Sequence, residues 1–485
     1  MKLRDLLCET EVLSCAADPE LEIRDISFDS RTTQPGDLFV AVKGYESDGH
    51  RFIPMAMEKG AAAVLCEELP AGEGPYIRVK DSRLALAELS CVFFGHPSRE
   101  IQVVGVTGTN GKTTVTTLLK HVLEQTRGAK VGLVGTNGNW IGEKELHTER
   151  TMPDAYSLQK LLREMADAGC KYAVMEVSSH AICLDRVAGI RFAVGVFTNL
   201  TQDHLDFHIT MENYAAAKAI LFSRCEHGVV NLDDDWAQFM LERAECPVTT
   251  VSTRDNHAGL VAKDIRLSAE GVRFMLVSDT ELQRISLGIP GMFSVYNALS
   301  VIAAANALGI SGAECAEALL TAKSVKGRAE LVPTDGDYTI LIDYAVTPDA
   351  VENILTTVRA FTKGRLVFLF GCGGDRDRLK RPIMGRIAGE KADFVIVTSD
   401  NPRTEDPLEI IREILPGLKK THTSYVVKPD RREAIAYAIE NHLDGDVIIL
   451  CGKGHEDYQI IGHEKIHMDE REIVAEILKK RREQA

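Results

Sequence analysis

The chain has no surplus of positive charge. Its 485 residues carry a formal net charge of −15, and no basic stripe offsets it, which argues against a nucleic-acid partner. An anionic small molecule stays open, because it needs only a few local Arg, Lys and backbone N–H groups. Paired cysteines are lacking too: the eleven cysteines are scattered singly, with no Cys-x-x-Cys. That fits the reduced thiols of a cytoplasmic protein, and neither a disulfide framework nor a zinc site. No signal-peptide-like apolar segment follows Met1-Lys2-Leu3-Arg4-Asp5. The most apolar long stretch, residues 292–310, is interrupted by Ser294, Asn297, Ser300 and Asn306, so a buried helix is expected there and no membrane span. Internal repeats and low-complexity segments are also missing. What remains, 45% hydrophobic and 26% charged residues, supports the core of a soluble α/β protein of about three domains.

The most informative stretch is residues 103–114, Val-Val-Gly-Val-Thr-Gly-Thr-Asn-Gly-Lys-Thr-Thr. The apolar run 101–106 predicts a buried strand. After the glycines, Val115, Leu118, Leu119, Val122 and Leu123 fall at helical spacing. Strand, glycine loop and helix make a phosphate cradle, because backbone N–H groups approach an anion unhindered and the helix N-terminus favours negative charge. Lys112 can reach terminal phosphates and the Thr113 hydroxyl can ligate magnesium. The strict pattern needs glycine at 106, where Val106 stands, so this is a P-loop variant whose expected ligand is ATP with Mg2+.

Three domains are expected. Residues 1–97 form a small α/β domain, with a turn at Gln34-Pro35-Gly36-Asp37, a strand over 38–42, and a helical pattern through Met55, Met57 and Ala61. Residues 98–327 alternate strand and helix, as in a parallel sheet covered on both faces. Strand 172–175 ends in Glu176, where a carboxylate can hold magnesium or orient a nucleophile, or simply be solvated. Strand 192–197 leads to Asp203-His204-Leu205-Asp206-Phe207-His208, whose histidine pair lacks the metalloprotease Glu. Lys218 lies in an Ala-rich helix over 213–222, where a solvated or snorkelling lysine is the default. Asn297 either faces a nucleotide or is a polar residue in an apolar helix. Residues 328–485 read as a Rossmann-like domain with strands at 338–342, 366–370, 394–397, 425–427 and 447–450. Its Gly371-Cys372-Gly373-Gly374-Asp375-Arg376 loop has Arg376 where a dinucleotide fingerprint needs its third glycine, so NAD is rejected.

Several motifs in this order resemble the Mur ligases of bacterial peptidoglycan synthesis, and within them the MurE type. They are Asp29-Ser30-Arg31, Gly108-Thr109-Asn110-Gly111-Lys112-Thr113-Thr114, Glu176-Val177-Ser178-Ser179-His180 and Asp203-His204-Leu205-Asp206. Gly327-Arg328-Ala329-Glu330, Asp343-Tyr344-Ala345, Asp400-Asn401-Pro402-Arg403 and Gly452-Lys453-Gly454-His455-Glu456 complete the set. The resemblance implies an ATP-dependent amide ligase that acts through an acyl phosphate. Its substrates would be UDP-MurNAc-L-Ala-D-Glu and meso-diaminopimelate, and it would work as a cytoplasmic monomer with neither nucleic acid nor membrane as partner. Lys112, Glu176, His204 and Lys218 are then catalytic, and Thr113, Glu176, His204 and Lys218 (as a carbamate) surround magnesium. Gly108, Thr109, Asn110, Gly111, Thr114, Asn297, Arg328 and Asp343 would hold ATP with Lys112 and Thr113.

By the same resemblance Ser30, Thr151, Ser178 and Arg186 would bind the UDP substrate. Arg376, Asp400, Asn401, Arg403, Gly452 and Glu456 would bind diaminopimelate. Arg403 matters because lysine-adding relatives usually lack it, and a guanidinium grips a distal carboxylate bidentately. Three residues depart from the family pattern: Val346 stands for a usual His, Met152 for a frequent Thr and Lys326 for a Pro. The alternatives are a lysine-adding ligase of the same type, a MurF or folylpolyglutamate-type ligase, and a regulator that binds nucleotide without catalysis. The Asp-Asn-Pro-Arg loop weighs against the second, and the four retained catalytic residues weigh against the third.

Overall fold

Continuous apolar runs bounded by glycine and proline dominate the chain, and runs of that kind become strands covered on both faces. The computed structural model describes residues 1–44, 47–146, 152–268 and 271–484. Among those residues the strands gather into sheets of five, eleven and six, plus a two-stranded ribbon, in a three-domain α/β architecture. No helix among them is long and apolar enough to cross a membrane.

In the first sheet Leu38–Val40, shorter than the expected 38–42, lies between Ile26–Ser27 and Ala63–Cys66, parallel to both. The helix Ile53–Glu58 ends before Ala61. The N-terminal domain leans on the central one through the helices Ser82–Phe93 and Ala155–Asp167, and Tyr156 donates to Asp25 Oδ1 at 2.7 Å.

The central sheet differs from a purely parallel one. Seven strands run parallel, with Gln102–Thr107 between Phe192–Phe197 and Tyr172–Glu176. Two more strands are added antiparallel at each edge: Gly138–Ile141 and Lys144–Leu146 at one, Gly271–Val277 and Leu282–Leu287 at the other. Three of these four edge strands alternate buried and exposed residues or carry charges, so they lack the continuous apolar run of a central strand. The helix Lys112–Arg127 buries the predicted face, Val115, Leu118, Leu119, Val122 and Leu123. It packs on the helix Met292–Ala307, which is buried nearly all round. Each such leucine withdraws apolar area worth roughly 1.5–3 kcal/mol from water.

The C-terminal sheet contains the five expected strands, and Glu330–Val332 joins its edge antiparallel. Asp446–Cys451, late in sequence, inserts between Tyr338–Asp343 and Leu366–Phe370. That order brings the loops after residues 343, 370, 397 and 451 to one end of the sheet, where ligands bind in open α/β folds.

Candidate active site

The loop Gly108 to Gly111 leaves the middle of the central sheet and turns into the helix that begins at Lys112. Two glycines are required by the space available. Gly108 has φ +143°, and a Cβ there would lie 1.9 Å from Thr198 Oγ1; Gly111 has φ +88°, and a Cβ there would lie 2.7 Å from Asn297 Oδ1. The neighbouring strand end fixes the loop. Thr198 Oγ1 donates to Asn110 O at 2.6 Å, and the N–H groups of Thr109 and Asn110 donate to Asn199 O and Asn199 Oδ1.

Two lysines meet on this loop. Lys112 Nζ donates to Gly108 O and Thr109 O, both at 2.8 Å. The Nζ of fully buried Lys218, from the helix Met211–Ala219, donates to the same Gly108 O at 2.9 Å and lies 4.5 Å from the centre of the Tyr214 ring. Among the described residues neither ammonium is within ion-pair distance of a carboxylate. Burial lowers the proton affinity of both; for Lys218 it falls well below the usual lysine range, with the Lys112 charge adding to the effect. The solvated lysine that an Ala-rich helix suggests is therefore not what the fold produces.

Glu176 pairs in register with Val106 of the P-loop strand, which sets its buried carboxylate beside the loop. Its Oε1 accepts the Thr136 N–H at 2.7 Å and its Oε2 accepts the Thr136 hydroxyl at 3.0 Å. His204, at φ +54°, holds Nε2 3.3 Å from Asp203 Oδ2, and its ring lies edge-on to His180 and Tyr214. Burial pushes its pKa down to about 4. Among the described residues no three His, Cys, Asp or Glu side chains converge as a ready-made metal cluster.

The C-terminal domain closes the site from above. Arg328 Nη2 donates to Thr113 Oγ1 at 3.1 Å, and its guanidinium lies over the Tyr344 ring. Asn110 Nδ2 donates to Asp349 Oδ2 at 2.8 Å, and Lys380 Nζ lies 3.6 Å from Asp203 Oδ1. Asp343 Oδ2 accepts the Ala329 N–H at 2.7 Å. Between the two domains is a cavity of about 270 Å3 lined by Gly111, Thr114, Tyr296, Asn297, Arg328 and Asp343. Arg328 Nε is buried without a hydrogen-bond partner among the described residues. Among the departures, Val346 is half-buried before the helix Pro348–Arg359, and Lys326 O accepts from Asn137 Nδ2 at 2.9 Å.

A second cluster occupies the end of the C-terminal sheet. Asn401 Nδ2 donates to Glu456 Oε2 at 2.9 Å, Asp400 Oδ1 accepts the Asn401 N–H, and Gly452 N donates to Asp343 O. Half-buried Arg403, at φ +51°, donates from Nη1 to Gly374 O at 2.8 Å. Arg376 is exposed and donates to Asp375 O; it lies close enough for its charge, after burial, to lower the proton affinity of Arg403.

Of the remaining candidates, Ser30 belongs to the N-terminal domain, while Ser178 and Arg186 follow Glu176 in the central one. Ser30 donates to Met55 Sδ at 3.4 Å within the N-terminal domain. Ser178 caps the helix Ser179–Cys183, and Arg186 Nη1 donates to the carbonyl of buried Met152 at 3.1 Å. Thr151 lies outside the described residues. Sequence reasoning missed Thr136, Tyr214, Asp349, Lys380 and Lys453. Lys453 stood inside a stretch already singled out by its glycines, and Thr136 lies between Gly135 and Gly138 at a strand end, whereas the other three carry no local signal.

Comparison with known proteins agrees along the whole chain. Residues 22–94 match the Mur ligase family, catalytic domain, residues 106–305 the Mur ligase middle domain, and residues 327–454 the Mur ligase, glutamate ligase domain. The UDP-N-acetylmuramoyl-L-alanyl-D-glutamate–2,6-diaminopimelate ligase of Caldanaerobacter subterraneus subsp. tengcongensis is 47% identical over 99% of both chains. That of Clostridium botulinum is 45% identical over 98% of this chain and 99% of its own. A solved structure of a ligase of the same name superposes with a TM-score of 0.72 at 31% identity, covering 99% of each chain. With matching domains from end to end and relatives this similar over their full length, the chain belongs to the Mur ligase family.

Proposed function

We propose that the chain is an ATP-dependent ligase joining meso-diaminopimelate to UDP-MurNAc-L-Ala-D-Glu. The observation that carries this reading is the meeting of Lys112 and Lys218 on Gly108 O, beside Glu176 and beneath Arg328. Lys112 and Arg328, which among the described residues have no carboxylate ion-pair partner, are the cations at this helix N-terminus and suit a ligand with several negative charges. Backbone N–H groups at the helix start, residues 111–114, and Lys112 hold the phosphates, Gly108, Thr109 and Asn110 shape the loop around them, Arg328 clamps them from the C-terminal domain, and Asn297 and Asp343 hold the nucleoside. The N-terminal domain, residues 1–97, takes the UDP moiety at Ser30, while Thr151, Ser178 and Arg186 follow the muramoyl-dipeptide. The C-terminal domain, residues 328–485, takes diaminopimelate, with residues 98–327 carrying the chemistry between them.

The glutamyl carboxylate attacks the terminal phosphorus of ATP, the bond to ADP breaks, and an acyl phosphate forms. The amine of diaminopimelate then attacks the acyl carbon. The carbon–oxygen bond to phosphate breaks, phosphate leaves, and the amine loses a proton. Two anions must first be brought together and water excluded, which the cations around the loop and the closed domain seam accomplish. The residues present fit magnesium: Thr113 Oγ1 and the buried Glu176 carboxylate offer the few hard oxygen donors that such an ion takes alongside phosphates and water. Bound there, magnesium neutralises phosphate charge. Lys218, whose proton affinity burial lowers, would add carbon dioxide as the free amine with loss of a proton, and its carbamate would offer a further anionic oxygen donor for such an ion. His204, a nitrogen donor facing Asp203, would stand at the edge of that donor set.

Arg403 grips the distal carboxylate of diaminopimelate with help from Arg376, Glu456 receives the distal ammonium, and Asp400, Asn401 and Gly452 complete the pocket. The need for ATP puts the reaction in the cytoplasm, and a monomer suffices for it. Phosphate release with ATP and UDP-MurNAc-L-Ala-D-Glu, measured with diaminopimelate and with L-lysine, tests the reading. Turnover with diaminopimelate is the expected result. Preference for lysine would overturn the substrate, and no turnover with either would overturn the ligase assignment.

A further inference from the structure

Lys453 is completely buried and lies outside the phosphate site. Its ammonium donates to Glu456 Oε2 at 2.7 Å and to Asn401 Oδ1 at 2.8 Å. Asn401 closes the triangle through Nδ2 to the same Glu456 oxygen, and its Oδ1 also accepts the Ile460 N–H at 2.9 Å. Oε2 of Glu456 is thus taken by two donors. Oε1 receives the Tyr344 hydroxyl at a long 3.4 Å, and the Tyr458 hydroxyl also reaches this carboxylate. Glu456 also borders a cleft of about 670 Å3, shared with Thr136, Trp140, His455 and Tyr458, between the central and C-terminal domains.

A buried ammonium is tolerated where a carboxylate and further acceptors compensate it. Here the compensating carboxylate is the one assigned to the incoming ammonium. Lys453 therefore fixes which oxygen of Glu456 faces the cleft and cancels its charge. Arg403 and Arg376, set against the buried Asp400 carboxylate, are left to make the pocket cationic on balance. A pocket with that balance favours an amino acid whose distal end bears both an ammonium and a carboxylate over one with an ammonium alone. We infer that Lys453 is a positioning residue that sets amino-acid specificity by neutralising and orienting Glu456. The inference rests on the ligase reading above.

The test is steady-state phosphate release with ATP and UDP-MurNAc-L-Ala-D-Glu, varying diaminopimelate or L-lysine. Lys453→Met and Lys453→Gln are each expected to raise KM for diaminopimelate by roughly tenfold, the loss of one charge-assisted hydrogen bond. Both should lower the diaminopimelate-to-lysine ratio of kcat/KM by a similar factor, while kcat and the KM for ATP stay within about threefold. Lys453→Arg, which keeps the charge, should restore most of the ratio. Lys453→Gln retains a donor for both acceptors, so it carries the test if the Met variant does not fold. An unchanged ratio, or equal losses in kcat and every KM, would overturn the inference. Failure of the wild-type chain to turn over diaminopimelate would instead overturn the ligase reading.

Discussion

The chemistry of single residues here follows from how much water each has lost. Lys218 ionises less readily than a surface lysine, because burial and the neighbouring Lys112 charge both oppose it. Lys218→Ala is expected to lower kcat by about 100-fold or more, the scale of losing one electrostatic group from a site of this kind. Short carboxylic acids should restore part of the activity by replacing the carbamate oxygens, and full activity in the unsupplemented variant would remove the proposed role. His455 shows the same effect in stability. Burial, aided by the Arg328 charge, pushes its pKa down to about 3. An unfolded chain takes up a proton at this imidazole near pH 6.5 while the folded chain does not, so its contribution is present above that pH and is lost as pH falls toward 3. The urea midpoint of the wild-type chain should therefore fall between pH 7.5 and pH 5, and less so in His455→Gln.

At the scale of elements, the strand Gln102–Thr107 and the helix Lys112–Arg127 act as one device, and the turn between them is its least tolerant part. Gly111→Ala puts a Cβ 2.7 Å from Asn297 Oδ1 on a backbone at φ +88°. The left-handed conformation alone costs about 1–2 kcal/mol for a residue with a side chain. The clash must push Asn297 or the loop aside, in the cavity proposed for the nucleoside. Titration with a fluorescent ATP analogue should show binding weakened by about tenfold or more, while thermal unfolding shifts by only the few degrees that this strain implies. Wild-type affinity in the variant would separate the turn from nucleotide binding.

For the whole molecule, the decisive property is that the C-terminal domain completes a site begun in the central one. Asn110 with Asp349, Asp203 with Lys380, and Thr113 with Arg328 span the seam. Lys380 is nearly buried, so removing its charge leaves Asp203 without the cation reaching it from the C-terminal domain. Lys380→Met is expected to populate more open arrangements, read as a larger radius of gyration by small-angle X-ray scattering. It should also lower kcat by roughly tenfold, since misplacement of a supporting group by about 1 Å is costly in such sites. An unchanged scattering profile together with unchanged kcat would show that this contact does not govern closure.

Much of this was legible in the chain itself. The strand–glycine–helix cradle, the buried strands of the C-terminal sheet and the apolar helix Met292–Ala307 follow from local pattern, because period and punctuation dictate which backbone can bury which face. The antiparallel edges, with their alternating or charged residues, were not legible in that way. Nor were Tyr214, Asp349 and Lys380, whose partners lie far away in sequence. Sequence alone determined the phosphate loop, the family motifs and the candidate residues, since each depends on residue type at short spacing. Only the tertiary structure decided that Lys218 is dehydrated against Gly108 O, and that Lys453 is locked between Asn401 and Glu456. Desolvation and charge pairing depend on what packs around a side chain, and that is settled by strand order and by the closing of one domain on another.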